Sequence, residues 1–166
     1  MAKAWMNQKR RWQQRAWLHP EPHRPELARP YGDFLATLPW DWYGTFTFAE
    51  WLHPERAAQI YEGWAARLQV EVAQKMTHAR ALEYQKRGVV HFHSLIWNVG
   101  RKTNRFEWMK TWETMGGGIS RIYLYDRTKG AAHYLPKYVV KNGEVDILTF
   151  GKLKGRPDDR RLGGVQ

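Results

Sequence analysis

The segment that most constrains this chain is VVHFHSLIW, residues 89–97, a nearly apolar run broken by two histidines one residue apart. A short apolar run rich in β-branched and aromatic residues reads as a buried strand. Alternation along a strand then puts His91 and His93 on one face, about 6.6 Å apart along the chain, with Phe92 on the other. A second such run, residues 79–85, precedes it across Lys86, Arg87 and Gly88 only. Glycine takes positive φ freely, so this spacing predicts a tight hairpin. Pairing across the turn sets Glu83 nearly opposite His91 and on its face.

Two imidazoles and a carboxylate on neighbouring strands can converge on one cation, neutral histidine being the commonest metal ligand. Three protein ligands would leave coordination positions for water or substrate, as a catalytic site requires. Asp126, at the end of a later strand, is an alternative to Glu83 as third ligand. In the competing reading the imidazoles hydrogen-bond within a polar sheet face and hold no metal. The chain has no cysteine, which excludes disulfides, thiolate metal sites and zinc fingers.

Around the hairpin the pattern alternates between strand and helix. WYGTFTF, residues 42–48, alternates aromatic and β-branched residues as a strand does. Pro54 and Glu55 open an amphipathic helix, residues 54–72, with Ala57, Ile60, Tyr61, Trp64, Leu68 and Val72 at helical spacing. Asn104 caps a helix that runs to Met115 and ends in three glycines, and residues 122–125 form another strand. Residues 130–141 read as a helix containing Pro136, and residues 145–150 as an edge strand. Residues 31–38 form a helical turn or two closed by Pro39, after a short basic helix and a proline-rich connector. This order packs most simply as an α+β fold, an antiparallel sheet with helices on one side. The 166 residues suit one domain, residues 31–151, with a basic extension at 1–30 and a basic flexible tail at 152–166.

Charge points to the partner. Twenty-seven Lys and Arg face 16 Asp and Glu, a formal net charge of +11, and nucleic acid is the expected polyanion. Lys9, Arg10, Arg11 and Arg15, with Arg87 of the turn, are candidates to contact phosphates, and Trp5, Trp12 and Trp17 to stack on bases; a solvated, partly disordered amino-terminal tail is the equal alternative. No stretch approaches the roughly 20 apolar residues of a membrane span, and the basic start lacks the apolar core of a secretory signal. No membrane is expected and the cytoplasm is the expected location.

A second constellation is YLPKYVVK, residues 134–141. On a helix Tyr134 and Tyr138 share a face, about 6 Å apart along the axis, with Lys137 and Lys141 repeating the step beside them. A phenol titrates near pH 10, so a nucleophilic tyrosine needs positive charge to favour the phenolate and a cation at the phosphate it attacks. By itself such a helix could as well pack its tyrosines on the sheet and turn its lysines to water. His78 and His133 are near these residues in sequence, as spare ligands, phosphate contacts or ordinary surface residues.

HFH in a strand, an upstream FTF strand and a downstream Y-x-x-K-Y-x-x-K helix, in that order, resemble the HUH endonuclease superfamily over residues 42–142. The nearest likeness is to the rolling-circle replication initiators of plasmids and single-stranded DNA phages. The resemblance implies a ferredoxin-like or RRM-like sheet, with His91 and His93 on a central strand as ligands of Mg²⁺ or Mn²⁺. It implies that Tyr138 or Tyr134 cuts one DNA strand at a replication origin, and we read Tyr138 as the primary nucleophile and Tyr134 as its partner. The product would be a 5′-phosphotyrosine and a free 3′-hydroxyl. The substrate would be single-stranded DNA or an extruded hairpin, and a host helicase and polymerase would supply unwinding and synthesis. Pro136 departs from a regular helix between the two tyrosines. Two other functions share these features: a non-catalytic RRM-like nucleic-acid-binding domain, and a transposase or relaxase with the same chemistry.

Overall fold

Residues 42–47 alternate in burial, whereas most of residues 77–84 and 90–97 are buried on both faces, and these runs make the core of the sheet. In a computed structural model, which describes residues 25–85, 87–100, 102–129 and 145–149, the strands are β1 (Trp42–Thr47), β2 (Thr77–Tyr84), β3 (Val90–Trp97), β4 (Ser120–Leu124) and β5 (Val145–Thr149). Their spatial order is β4-β1-β3-β2-β5 and every neighbouring pair is antiparallel. The helices are α1 (Pro25–Ala36), α2 (Pro54–Val72) and α3 (Arg105–Thr114). From β1 to β4 the chain therefore runs β-α-β-β-α-β, the ferredoxin-like arrangement, with β5 added beside β2. The expected α+β sheet with helices packed on it is what the chain forms.

Most expected boundaries fall within two residues of the observed ones. Pro54 opens α2, and Asn104 caps α3 by accepting from the Phe106 N–H at 3.0 Å. Two differences have physical causes. The proline-rich stretch is helical from Pro25, with Pro30 inside α1. Packing of Leu35, fully buried, and a bond from Trp40 Nε1 to the Leu35 carbonyl at 2.7 Å outweigh the local cost of that proline. The helices also do not share one side of the sheet. Helices α2 and α3 cover one face, whereas the Leu35–Trp40 segment joins Ala79, Ala81 and Leu95 on the other.

The α2/α3 face holds the larger core. Phe46 sits at its centre, with the rings of Trp64, Trp112 and Tyr61 edge-on at 4.7, 5.2 and 5.3 Å between centroids. Gly44 permits this, because a Cβ there would lie 2.5 Å from the Phe46 ring. Ser94 donates to the Ala79 carbonyl at 3.0 Å, so the buried Tyr61 hydroxyl donates to Ser94 Oγ at 2.5 Å. Burial pushes the Tyr61 phenol up to about 12, against the smaller opposing effects of Ser94 and Arg80, and it stays protonated. The opposite face carries the smaller cluster of Leu35, Trp40, Ala79, Ala81 and Leu95, which leaves room beside it for polar groups.

Candidate metal centre on the sheet

The hairpin register is the one the turn predicts. Glu83 pairs with His91 and Ala81 with His93, while on the other side Thr45 pairs with His93 and Thr47 with His91. Cross-strand partners share a face, so the polar rows of β1, β2 and β3 meet on the sheet face opposite α2 and α3.

There the side chains converge. His91 Nε2 lies 2.8 Å from Glu83 Oε2, His93 Nε2 lies 3.1 Å from the same oxygen, and the two Nε2 atoms are 2.8 Å apart. The His93 side chain is 7 % exposed, that of His91 14 % and that of Glu83 26 %, so the cluster opens towards solvent at the carboxylate. Burial works to raise the Glu83 carboxyl. Hydrogen bonds and positive charge from His91 and His93 together outweigh it and hold the group below its ordinary value.

Each imidazole is held from behind. The Tyr43 hydroxyl is 2.9 Å and Thr45 Oγ1 3.4 Å from His93 Nδ1, and the Gln85 carboxamide is 3.0 Å from His91 Nδ1. Such partners fix ring orientation and leave the other nitrogen aimed at the shared point.

The donor set fits a divalent cation. Ligands at right angles and about 2.1 Å from one ion stand about 3 Å apart, which is the spacing seen among the three donor atoms. Among the described residues these three form the group of histidine and acidic side chains able to hold a metal. An ion held by these three donors would keep coordination positions open for water. Imidazole and carboxylate donors suit Mn²⁺ and its heavier neighbours more strongly than Mg²⁺.

Other expected residues are placed differently. His78 is fully buried on the α2 face, its ring 5.3 Å from that of Tyr61, which removes it as a spare ligand or surface residue. Asp126 accepts from the Thr128 N–H and hydroxyl at 3.0 and 2.6 Å in the turn after β4, apart from the cluster. Arg87 donates to Gln85 Oε1 at 2.8 Å and to the Phe48 and Ala49 carbonyls at 2.9 and 3.2 Å. Tyr134, Lys137, Tyr138, Lys141, His133, Lys9, Arg10, Arg11 and Arg15 lie outside the described residues, as does the expected helix at 130–141. The sequence pattern does not single out Tyr43, Thr45 and Gln85. Alternation in residues 42–48 already puts Tyr43 and Thr45 on one face, but which strand they meet is not local information.

A ferredoxin-like α+β domain with a candidate metal centre on the outer face of its sheet is the class that fold and site define. The chain belongs to the replication-associated protein ORF2 family, whose model matches residues 41–143, from the start of β1 to just before β5. No match was found among curated proteins or among solved structures. No helix among the described residues is long and apolar enough to cross a membrane.

Proposed function

We propose that this protein is a metal-dependent, sequence-specific DNA-nicking transesterase that initiates rolling-circle replication of a plasmid or phage in the cytoplasm. The observation that carries this reading is the convergence of Glu83, His91 and His93 on one point, in a chain of a replication-associated family. The nicking domain would begin with α1 rather than at residue 31 and run to residue 151, with the basic extension before α1 on the DNA and residues 152–166 as a basic tail. Lys9, Arg10, Arg11 and Arg15 would meet phosphates, and Arg87 would do so only through the N–H groups that Gln85, Phe48 and Ala49 do not take.

His91, His93 and Glu83 would hold Mg²⁺ or Mn²⁺, and that cation supplies polarisation of a phosphate oxygen and stabilisation of the leaving charge. The Tyr138 oxygen forms a bond to phosphorus as the bond to the 3′ oxygen breaks. The phenolic proton is released and the 3′ oxygen takes one up, ending as a hydroxyl. Lys137 and Lys141 favour the phenolate, and Tyr134 performs the second cut that ends a round. The phosphotyrosine keeps the strand available for rejoining, which hydrolysis would discard. A host helicase would open the duplex and a host polymerase would extend the 3′ end.

The test is a denaturing gel of the full chain incubated with single-stranded origin DNA and Mn²⁺. A covalent protein–DNA band that needs Mn²⁺ and is lost in Tyr138→Phe is the expected result. A band retained by Tyr138→Phe and lost by Tyr134→Phe reverses the order of the tyrosines. No band with any origin strand would leave a non-catalytic nucleic-acid-binding domain as the better reading.

A further inference from the structure

A second row of side chains stands on the same sheet face, beside the metal donors. Strand β4 is the edge strand next to β1. Arg121 pairs with Thr45, which pairs with His93, and Tyr123 pairs with Tyr43, which pairs with Leu95. Arg121 and Tyr123 therefore share the face of the imidazoles, two strand spacings or about 10 Å from the His93 position. Beyond the strand Tyr125 packs against the Leu35–Trp40 cluster on that face. With Arg127 it lines a shallow pocket against Ala36, Thr37, Leu38 and Pro39 at the end of α1. Both arginines are exposed and Tyr123 is 52 % exposed, a large ring that the core does not use.

We propose that Arg121, Tyr123, Tyr125 and Arg127 form the track for the single-stranded DNA that flanks the scissile phosphate. The proposal rests on the nicking reading of the His91, His93 and Glu83 site. Chemistry favours an unpaired strand. Residues two apart on an extended chain stand about 6.6 Å apart, roughly twice the rise of 3.4 Å between stacked bases. Successive bases each meet a tyrosine ring only when the strand is stretched and its bases are separated, which a duplex forbids. A ring accepts the face of any base, and the guanidinium of Arg121 on β4, with that of Arg127 in the 3-10 turn beyond Tyr125, suits the phosphates between. The pocket beside Tyr125 gives one base a place to end the run.

Fluorescence anisotropy of the full chain with a labelled single-stranded oligonucleotide, in EDTA, tests this without metal or cutting. Tyr123→Ala is expected to weaken binding about tenfold, and Tyr123→Phe to keep wild-type affinity because the ring remains. Arg121→Gln is expected to reduce the slope of log affinity against log salt by roughly 0.7. Duplex binding should be the same for all these proteins. Unchanged single-strand affinity in Tyr123→Ala, or an equal loss for duplex and single strand, overturns the track. The assay involves no chemistry, so the two readings fail separately. A tenfold loss in Tyr123→Ala with no covalent band removes the nickase and leaves the track, and a covalent band with unchanged affinity does the opposite.

Discussion

The Tyr43 hydroxyl lies 2.9 Å from Nδ1 of His93, and the two rings are parallel to within 9°. Tyr43 belongs to the aromatic strand β1 and His93 to its neighbour β3, so the strand that supplies the core with Phe46 also steers an imidazole of the candidate metal centre. Tyr43→Phe removes the hydroxyl and keeps the ring. Mn²⁺ affinity, measured by titration calorimetry, is expected to fall between tenfold and a hundredfold, while the melting temperature changes little. Equal affinity in the two proteins would show that the hydroxyl does not orient the imidazole.

Removing a donor is expected to act more severely. A ligand that binds only the folded chain stabilises it by about 2.7 kcal/mol at a hundred times its Kd. Mn²⁺ should raise the melting temperature of the wild-type chain accordingly and leave His93→Ala unmoved. A similar metal-dependent rise in both would place the cation elsewhere.

How much of this centre the residues reveal in advance depends on distance along the chain. The pairing of Glu83 with His91 follows from a three-residue turn and a strict alternation, both local, and the register has it. The contacts of Tyr43 and Thr45 need β1 beside β3, some 50 residues away, and Gln85 needs the turn's own side-chain geometry. The same distinction explains α1. Its prolines argue locally for a connector, while the burial of Leu35 and the Trp40 bond, which decide the matter, come from tertiary packing. His78 goes to the opposite face because it lies one residue out of phase with Ala79 and Ala81.

Acid should weaken the fold through Glu83. Its carboxyl titrates lower in the folded chain than its ordinary value of roughly 4.3, because His91 and His93 more than offset burial. The stabilisation is complete above that ordinary value and is lost as pH falls through the lower folded one. Glu83→Gln lacks this dependence. Between about pH 6 and about pH 3 the metal-free wild-type chain should lose more melting temperature than the variant, by thermal scans in EDTA. Parallel losses would mean that the carboxylate is not favoured by its neighbours.

A backbone approach sets a further limit. The Gly118 N–H donates to the Thr47 carbonyl at 2.8 Å, and a Cβ at this position would stand 2.7 Å from the Ala49 nitrogen. Gly118→Ala must separate the start of β4 from the end of β1, at a cost of about 1–3 kcal/mol. Urea denaturation should show the loss in the midpoint with the slope unchanged.

Arg87 acts as a clasp. Its guanidinium fastens the bend between β2 and β3 to the Phe48 and Ala49 carbonyls, 39 and 38 residues earlier, and to Gln85, which touches His91. Any breathing of that bend must pull on the segment leaving β1 and on an imidazole at the same moment. Amide exchange at Gly88 and in the neighbourhood of Ala49 is therefore expected to follow one cooperative opening, and cutting the clasp should let the two exchange at independent rates.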